Sequence, residues 1–391
     1  MHIYKKPSGT WAYRIDVGRD PVTGRRKQRE KAGFPRARDA RMAAEEALRA
    51  LRRNEYVEPE RVTFSKFAAD WLATYEQVAK VSSVRIRRHQ VGILNRYFGK
   101  LSLQFIKKKA YQDALLTMAA TYKPATISGV HAAARMIFKK AREYELIYTD
   151  PTEFAVVPRP KRTIVDPDKN VPPYLEKAQL QAFLQAAMEK GLYPDYPLFV
   201  LLSYTGLRIG EALALTWEDV DFAGNALKVS KTLYNPTNNA CSYELLPPKT
   251  VTSVRVVSMP QHLKKVLTSY KLEASKHRLD YGHEWPYPKG SRQGFVFTAP
   301  AHPGYPLTQR LVQLRIDRLQ KLMDPPLPIR IHPHLFRHTH ASLLAEAGVD
   351  LVNIMKRLGH SDDATTRQIY LHITKSLAQE TAQRFDDLLA K

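Results

Sequence analysis

Five residues are of types that could do chemistry together: four near the carboxyl end and one far upstream. His334 and Arg337 stand in HPHLFRHTH, His360 in LGHS, Tyr370 in TTRQIY and Arg208 in YTGLRIGEAL. Two arginines, two histidines and one tyrosine are what is needed to break a phosphodiester with a protein nucleophile and no metal. The arginines would neutralise the non-bridging oxygens, where charge builds in the transition state. The tyrosine would attack phosphorus and hold the bond energy in a covalent ester. A phenol with a pKa of about 10 is a poor nucleophile near neutrality. Neighbouring cations would have to help it lose its proton.

Each residue alone also admits a plainer reading. Thr205-Gly206 ends an apolar helix and a new helix starts near Arg208, a junction where backbone N–H groups also favour phosphate. A buried salt bridge from Arg208 to Glu211 or Asp219 fits the same segment. His334 and His338 are four apart on a helix and could hold a metal. No glutamate lies between them, no cysteine partners them, and Arg337 would repel a cation, so no metal is expected. His332, His338 and His340 read as satisfied local histidines. His360 follows Gly359, a helix C-cap signal, and could be a capping residue. Tyr370 could be a half-buried tyrosine on a helix. Lys249, in LLPPKTVTSVRVVSMP, could be an ordinary soluble turn lysine.

The order of these motifs resembles the tyrosine recombinases, the phage integrase family. Arg208, Lys249 followed by Thr-x-x-Ser-x-Arg-x-Val, the His-x-x-Arg of His334 and Arg337, Leu-Gly-His at His360 and Tyr370 ten residues later carry the likeness. It covers most of the chain and is densest over 175–375. The resemblance implies Arg208 and Arg337 as a phosphate clamp, with Arg337 bidentate. It implies His334 and His360 on the same phosphate, with His334 able to accept the tyrosine proton. Tyr370, the sole tyrosine between 306 and 391, would be the nucleophile. Lys249 at a β-hairpin tip would protonate the leaving 5′ oxygen, and Glu211 would orient the local charges.

The implied reaction is site-specific recombination of double-stranded DNA through a 3′-phosphotyrosine, integrating or excising a mobile element without a cofactor. The resemblance further implies a homotetramer on attachment core and arm sites, two protomers active at a time, in the cytoplasm at the nucleoid. An excisionase and a host DNA-bending protein are candidate partners. The rival readings are a type IB topoisomerase and a catalytically inactive DNA-binding regulator. A metal-dependent nuclease would need a tight Asp/Glu cluster that the sequence lacks. No G-x-x-x-x-G-K-[ST] loop is present.

Composition points the same way. Basic residues number 61 against 38 acidic, a formal net charge of +23, which asks for a polyanionic partner. An anionic membrane surface is the competing partner, but no basic amphipathic helix supports it. The single cysteine, Cys241, excludes an internal disulfide and fits a reducing cytosol. The amino end has no apolar signal core. The most apolar run, Tyr196 to Leu207, is too short to span a bilayer and reads as a buried core helix.

The elements that must position these residues suggest a multidomain chain: a small α+β amino-terminal module, an all-α domain and a mainly α catalytic domain with a small antiparallel sheet. Residues 1–55 form the first. TWAYRIDVG alternates, with Trp11, Tyr13, Ile15 and Val17 on one face. Thr23-Gly24 suits a hairpin turn, and a helix follows over about 36–53. This module resembles the arm-binding domain of many integrases. Arg14, Arg25, Arg26, Lys27, Arg29 and Lys31 would suit a sheet laid in a DNA groove, or make a solvated basic hairpin. Residues 63–155 read as a helical core-binding domain, with Thr63 or Ser65 as first N-cap and further helices around 82–97, 109–119 and 124–145. Arg85, Arg87, Arg88 and Lys107 to Lys109 are exposed clusters there. A proline-rich linker over 149–173 should run extended between domains that close around a duplex. Residues 175–391 form the catalytic domain, with strands from 227–235 and the pair around Lys249. The tail SLAQETAQRFDDLLAK reads as an amphipathic helix, which in the family docks on a neighbouring protomer.

Overall fold

A computed structural model describes residues 1–19, 26–52, 62–159, 173–248, 253–281, 285–288, 291–359, 366–371 and 373. The chain divides into two compact units, Met1–Thr163 and Ile164–Lys391. In the first unit, β1 (His2–Lys5), β2 (Trp11–Arg19) and β3 (Arg26–Phe34) form an antiparallel sheet in that order. Helix α1 (Ala37–Arg52) supplies Ala44, which buries against Tyr13 and Ile15. The expected alternation along β2 breaks at Ala12, which is buried beside Tyr13. The pairing of β2 with β3 shifts register between Trp11 and Ala12, and such a bulge interrupts the period of two. The Thr23-Gly24 turn lies outside the described residues.

A second cluster gathers α2 (Phe64–Val78), α3 (Val81–Phe98), α4 (Lys108–Ala119) and α5 (Pro124–Glu143). Thr63 caps α2, its hydroxyl accepting the Lys66 N–H, and Pro124 opens α5 where no intrahelical N–H is needed. The aromatic stripes meet inside, with Phe64 on Phe138 at 5.5 Å and Phe98 on Tyr111 at 5.8 Å. The linker expected to run extended from 149 is fastened on this cluster as far as Val157. The Gln112 amide donates to the Val156 carbonyl (2.9 Å) and accepts its N–H (2.8 Å). Ala155 and Val157 pack on the helical core. One side-chain amide thus satisfies a backbone pair that would otherwise need water.

The second unit comprises α6 (Lys177–Lys190), α7 (Asp195–Thr205), α8 (Ile209–Ala214), strands β4 (Val220–Asp221), β5 (Ala226–Val229), β6 (Thr232–Tyr234), β7 (Glu244–Leu246) and β8 (Arg255–Ser258), α9 (Gln261–Tyr281), the hairpin β9 (Thr298–Ala299) and β10 (His302–Pro306), then α10 (Gln309–Leu322), α11 (Pro333–Glu346) and α12 (Leu351–Leu358). Helix α7 is apolar nearly all round and is correspondingly the buried axis of the core. Phe199 stacks on Phe336 of α11 at 5.7 Å and meets Phe183 of α6 edge-on at 5.2 Å.

The strand expected over 227–235 is split. Its first half, β5, pairs with β8, from Ala226↔Ser258 to Val229↔Arg255. Its second half, β6, pairs with β7, from Thr232↔Leu246 to Tyr234↔Glu244. The break falls at Ser230 and Lys231, where the half-buried Lys231 amine pairs with Asp219 at 2.7 Å. Strands β7 and β8 flank Lys249, itself outside the described residues, and pair with β6 and β5 respectively. Among the described residues no helix is long and apolar enough to cross a membrane.

Candidate active site

Two helix ends organise the site. Helix α7 stops at Gly206 (φ +63°) and α12 at Gly359 (φ +70°), both left-handed caps that favour glycine. Space demands glycine as well. A Cβ on Gly206 would lie 2.6 Å from Leu358 Cδ2, and one on Gly359 would lie 3.0 Å from Arg255 Nη1. Arg208 follows the first cap by two residues and His360 follows the second directly.

Three arginines lace these ends together. Arg337, 2% exposed, donates from Nη1 to the Gly206 carbonyl (2.8 Å) and from Nη2 to the Leu358 carbonyl (2.6 Å). Arg357 donates from Nη2 to the Tyr204 carbonyl (3.0 Å) and from Nη1 to Ser258 Oγ (2.9 Å). Its own carbonyl accepts Arg255 Nε at 2.9 Å. Cations are stabilised at helix carboxyl ends, where unsatisfied carbonyls carry partial negative charge. The remaining Arg357 donor, Nε, goes to His340 Nε2 at 3.0 Å, while His340 Nδ1–H donates to the Ser203 carbonyl at 2.9 Å. Both ring nitrogens are thereby committed to a neutral imidazole. Burial, with Arg357 and Arg337 adding like charge, pushes His340 down to about 4.

Glu211 is the counter-charge. It is 3% exposed, and Oε1 meets Arg208 Nη1 at 2.9 Å while Oε2 meets Arg255 Nη2 at 2.9 Å. The Arg208 backbone N–H also donates to Oε2 (3.1 Å), so Glu211 satisfies the N-cap donor at the start of α8. Burial pushes the carboxyl up, but Arg255 and Arg208 outweigh it and hold it below the ordinary value. Asp219, the other acid considered for Arg208, is taken by Lys231. Arg208 keeps its side chain 35% exposed, against 7% for Arg255.

The structure places the other expected residues unevenly. His334 lies exposed in the first turn of α11, after Pro333, with its ring edge-on to His338 at 5.0 Å. Among the described residues no group of three or more His, Cys, Asp or Glu could hold a metal ion. Tyr370 sits half-buried on a helical segment, 366–371. It packs on a small cluster of Ala341 and Ala345 from α11 with Ile354 and Leu358 from α12. The nucleophile candidate therefore rests on the two helices that carry Arg337 and precede His360. Lys249, His360 and the carboxyl-terminal tail after Ile373 lie outside the described residues. In the amino module, Arg14 is exposed and paired with Glu30 at 3.0 Å. The Arg26, Lys27 and Arg29 backbones lie in β3, their side chains and Arg25 falling outside the described residues.

Arg255, Arg357 and His340 were not among the residues expected in the site. Arg255 did leave a signal: in VRVVSM it alternates with Val257 and Met259, both buried, while Val256 is exposed. An arginine on the inward face of a valine strand must be paired.

Comparison with known proteins identifies the family. The model of the phage integrase family matches residues 173–376, and that of an arm DNA-binding domain matches residues 2–51. The ICEBs1 integrase of Bacillus subtilis is 26% identical over 402 aligned residues, covering 100% of both chains. The prophage ps2 probable integrase of Lactococcus lactis is 26% identical over 391, covering 96% of this chain and 97% of its own. Among solved structures, the Tn1549 transposon integrase in complex with a circular intermediate DNA is 23% identical, covers 82% of this chain and 99% of its own, and superposes with a TM-score of 0.65. A lambda integrase tetramer bound to a Holliday junction, 17% identical, covers 94% of each chain at 0.57. At these identities the two structures speak for the fold.

The family match and the fold define a DNA strand-breaking and rejoining enzyme of the tyrosine type. The chain belongs to the phage integrase family and is a site-specific recombinase of mobile DNA elements.

Proposed function

We propose that Arg208, Lys249, His334, Arg337, His360 and Tyr370 form one strand-cleaving centre, in a catalytic domain spanning 175–391. The observation that supports this reading is the lacing of the α7 end, two residues before Arg208, to the α12 end by the buried Arg337 and the half-buried Arg357. Arg208, with its exposed guanidinium, meets the non-bridging oxygens. Arg337 adds a fixed positive charge between the two helix ends. His334 and His360 hydrogen-bond the phosphate, and His334 takes the Tyr370 proton. The phenolate oxygen bonds to phosphorus, the bond to the 5′ oxygen breaks, and Lys249 delivers a proton to that oxygen. A 3′-phosphotyrosine and a free 5′-hydroxyl result. The 5′-hydroxyl of a partner duplex then attacks the ester, restores the phosphodiester and returns Tyr370 to its phenol.

The helical region 63–155 and the catalytic domain clamp core sites on double-stranded DNA, and the amino module, 1–55, binds separate arm sites. A module reserved for distant sites favours synapsis over simple relaxation, which a topoisomerase would perform. The working assembly is a homotetramer on DNA, acting in the cytoplasm at the nucleoid, with an excisionase and a host bending protein setting direction. The test uses a nicked duplex built from the end of the element that encodes this chain, resolved on a denaturing gel. A protein-linked DNA band is expected from the wild type and none from Tyr370→Phe, which should retain duplex affinity. Cleavage by that variant overturns the assignment.

A further inference from the structure

Arg255 joins three segments that the proposed chemistry needs in register. Its Nη2 donates to Glu211 Oε2 (2.9 Å), and Glu211 holds Arg208. Its Nε donates to the Arg357 carbonyl (2.9 Å), three residues before His360. Its Nη1 donates to the Ser253 carbonyl (3.0 Å), four residues after Lys249. Ser253, itself buried, donates from Oγ to the Gly359 carbonyl (3.5 Å). Glycine at 359 leaves room for the guanidinium, since a Cβ would meet Nη1 at 3.0 Å. No lysine can reproduce this, because a point ammonium lacks the planar fork that spans three acceptors.

We infer that Arg255 is a positioning residue: it holds Arg208 (through Glu211), the end of α12 and Ser253 in one register, on which the chemistry of Arg208, His360 and Lys249 depends, without itself touching DNA. This rests on the proposed roles of those three residues. Loss of Arg255 should therefore slow chemistry and leave duplex binding alone, since displacement of about 1 Å in a reacting group costs on the order of 100-fold. The Lys249 limb has its own signature. A duplex with sulfur in place of the scissile 5′ oxygen leaves without needing a proton, so a deficit caused by a misplaced general acid shrinks on it.

The experiment measures single-turnover adduct formation by the full chain on the nicked oxygen duplex and on its 5′-bridging thiolate counterpart. The variants are Arg255→Lys, Arg255→Met with Glu211→Gln, Lys249→Ala and Tyr370→Phe. The double variant removes both buried charges, so a fold loss from an orphaned Glu211 is avoided. Expected are cleavage roughly 100-fold slower in the double variant, an intermediate rate in Arg255→Lys, unchanged affinity, and partial rescue of both on the thiolate duplex, as for Lys249→Ala. Wild-type rates in both Arg255 variants, or slowing that tracks lost affinity or an earlier melt with no thiolate rescue, overturn the inference. Adducts from Tyr370→Phe, or full oxygen-duplex activity in Lys249→Ala, overturn the underlying assignment instead.

Discussion

Two carboxylates in this chain each sit between two cations, and they differ in almost everything else. Glu30, on the sheet of the amino module, pairs with Lys6 at 2.7 Å and Arg14 at 3.0 Å. Glu211, in the catalytic unit, pairs with Arg208 and Arg255, each at 2.9 Å. Glu30 is open to solvent, its carboxyl lowered to about 2 by hydrogen bonds from Lys6, then Tyr4 and Arg14. Glu211 is buried and stays ionised only because its arginines outweigh the cost of burial. Exposed pairs are weak, screened by salt and readily exchanged. Buried ones cannot lose a partner without leaving an orphaned charge. Identical stoichiometry thus yields an exposed pairing that solvent and salt can loosen, and a buried one in which each partner depends on the others.

That contrast can be broken most severely at Arg337. Arg337→Met removes two charge-assisted hydrogen bonds from buried helix ends, and the catalytic unit should lose about 3 kcal/mol. Its melting transition, followed in the full chain, should fall well below that of the wild type. An unchanged melt would mean that the α7 and α12 ends do not depend on the arginine.

Next in size is His340, which should make the buried network sensitive to acid. Its folded value of about 4 lies below the unfolded 6.5, so the unfolded chain binds the extra proton between those limits. Its contribution is complete above about pH 6.5 and is lost as pH falls toward 4, up to about 3 kcal/mol in total. Melting curves across that window should be steeper in pH for the wild type than for His340→Gln. Equal slopes would show that His340 titrates freely.

The smallest effect belongs to the exposed triad. Glu30→Gln should leave the melt where it is. It should tighten binding of an arm-site duplex at low salt and steepen the slope of log affinity against log salt by about 1 for each of Lys6 and Arg14 released to phosphate. A lower melt with unchanged slope would make the triad structural and erase the contrast with Glu211.

The parts legible in the sequence were local. Helices α2, α5 and α7 announce themselves through Thr63, Pro124 and an apolar run, and Gly206 and Gly359 mark helix ends by composition alone. Of the two acids read beside Arg208, Glu211 and Asp219, the salt bridge to Glu211 is the one present. What was hidden is non-local. Gln112 fastens Val156 from 44 residues away, and Arg255 reaches Glu211 across 44 residues and Arg357 across 102. No periodicity encodes such partners. The split of 227–235 into β5 and β6 was hidden for the same reason, because it depends on where Lys231 finds Asp219. The tie from Arg337 to two carbonyls was hidden as well, since it exists only once α7 and α12 have met.

The central claim is that Tyr370, resting on α11 and α12, carries the covalent bond to DNA. Its most direct test is mass spectrometry of the protease-digested adduct formed on the nicked duplex. A single modified peptide is expected, with the 3′-phosphate on Tyr370. A nucleotide attached to any other residue, or adduct formation by Tyr370→Phe, would contradict it.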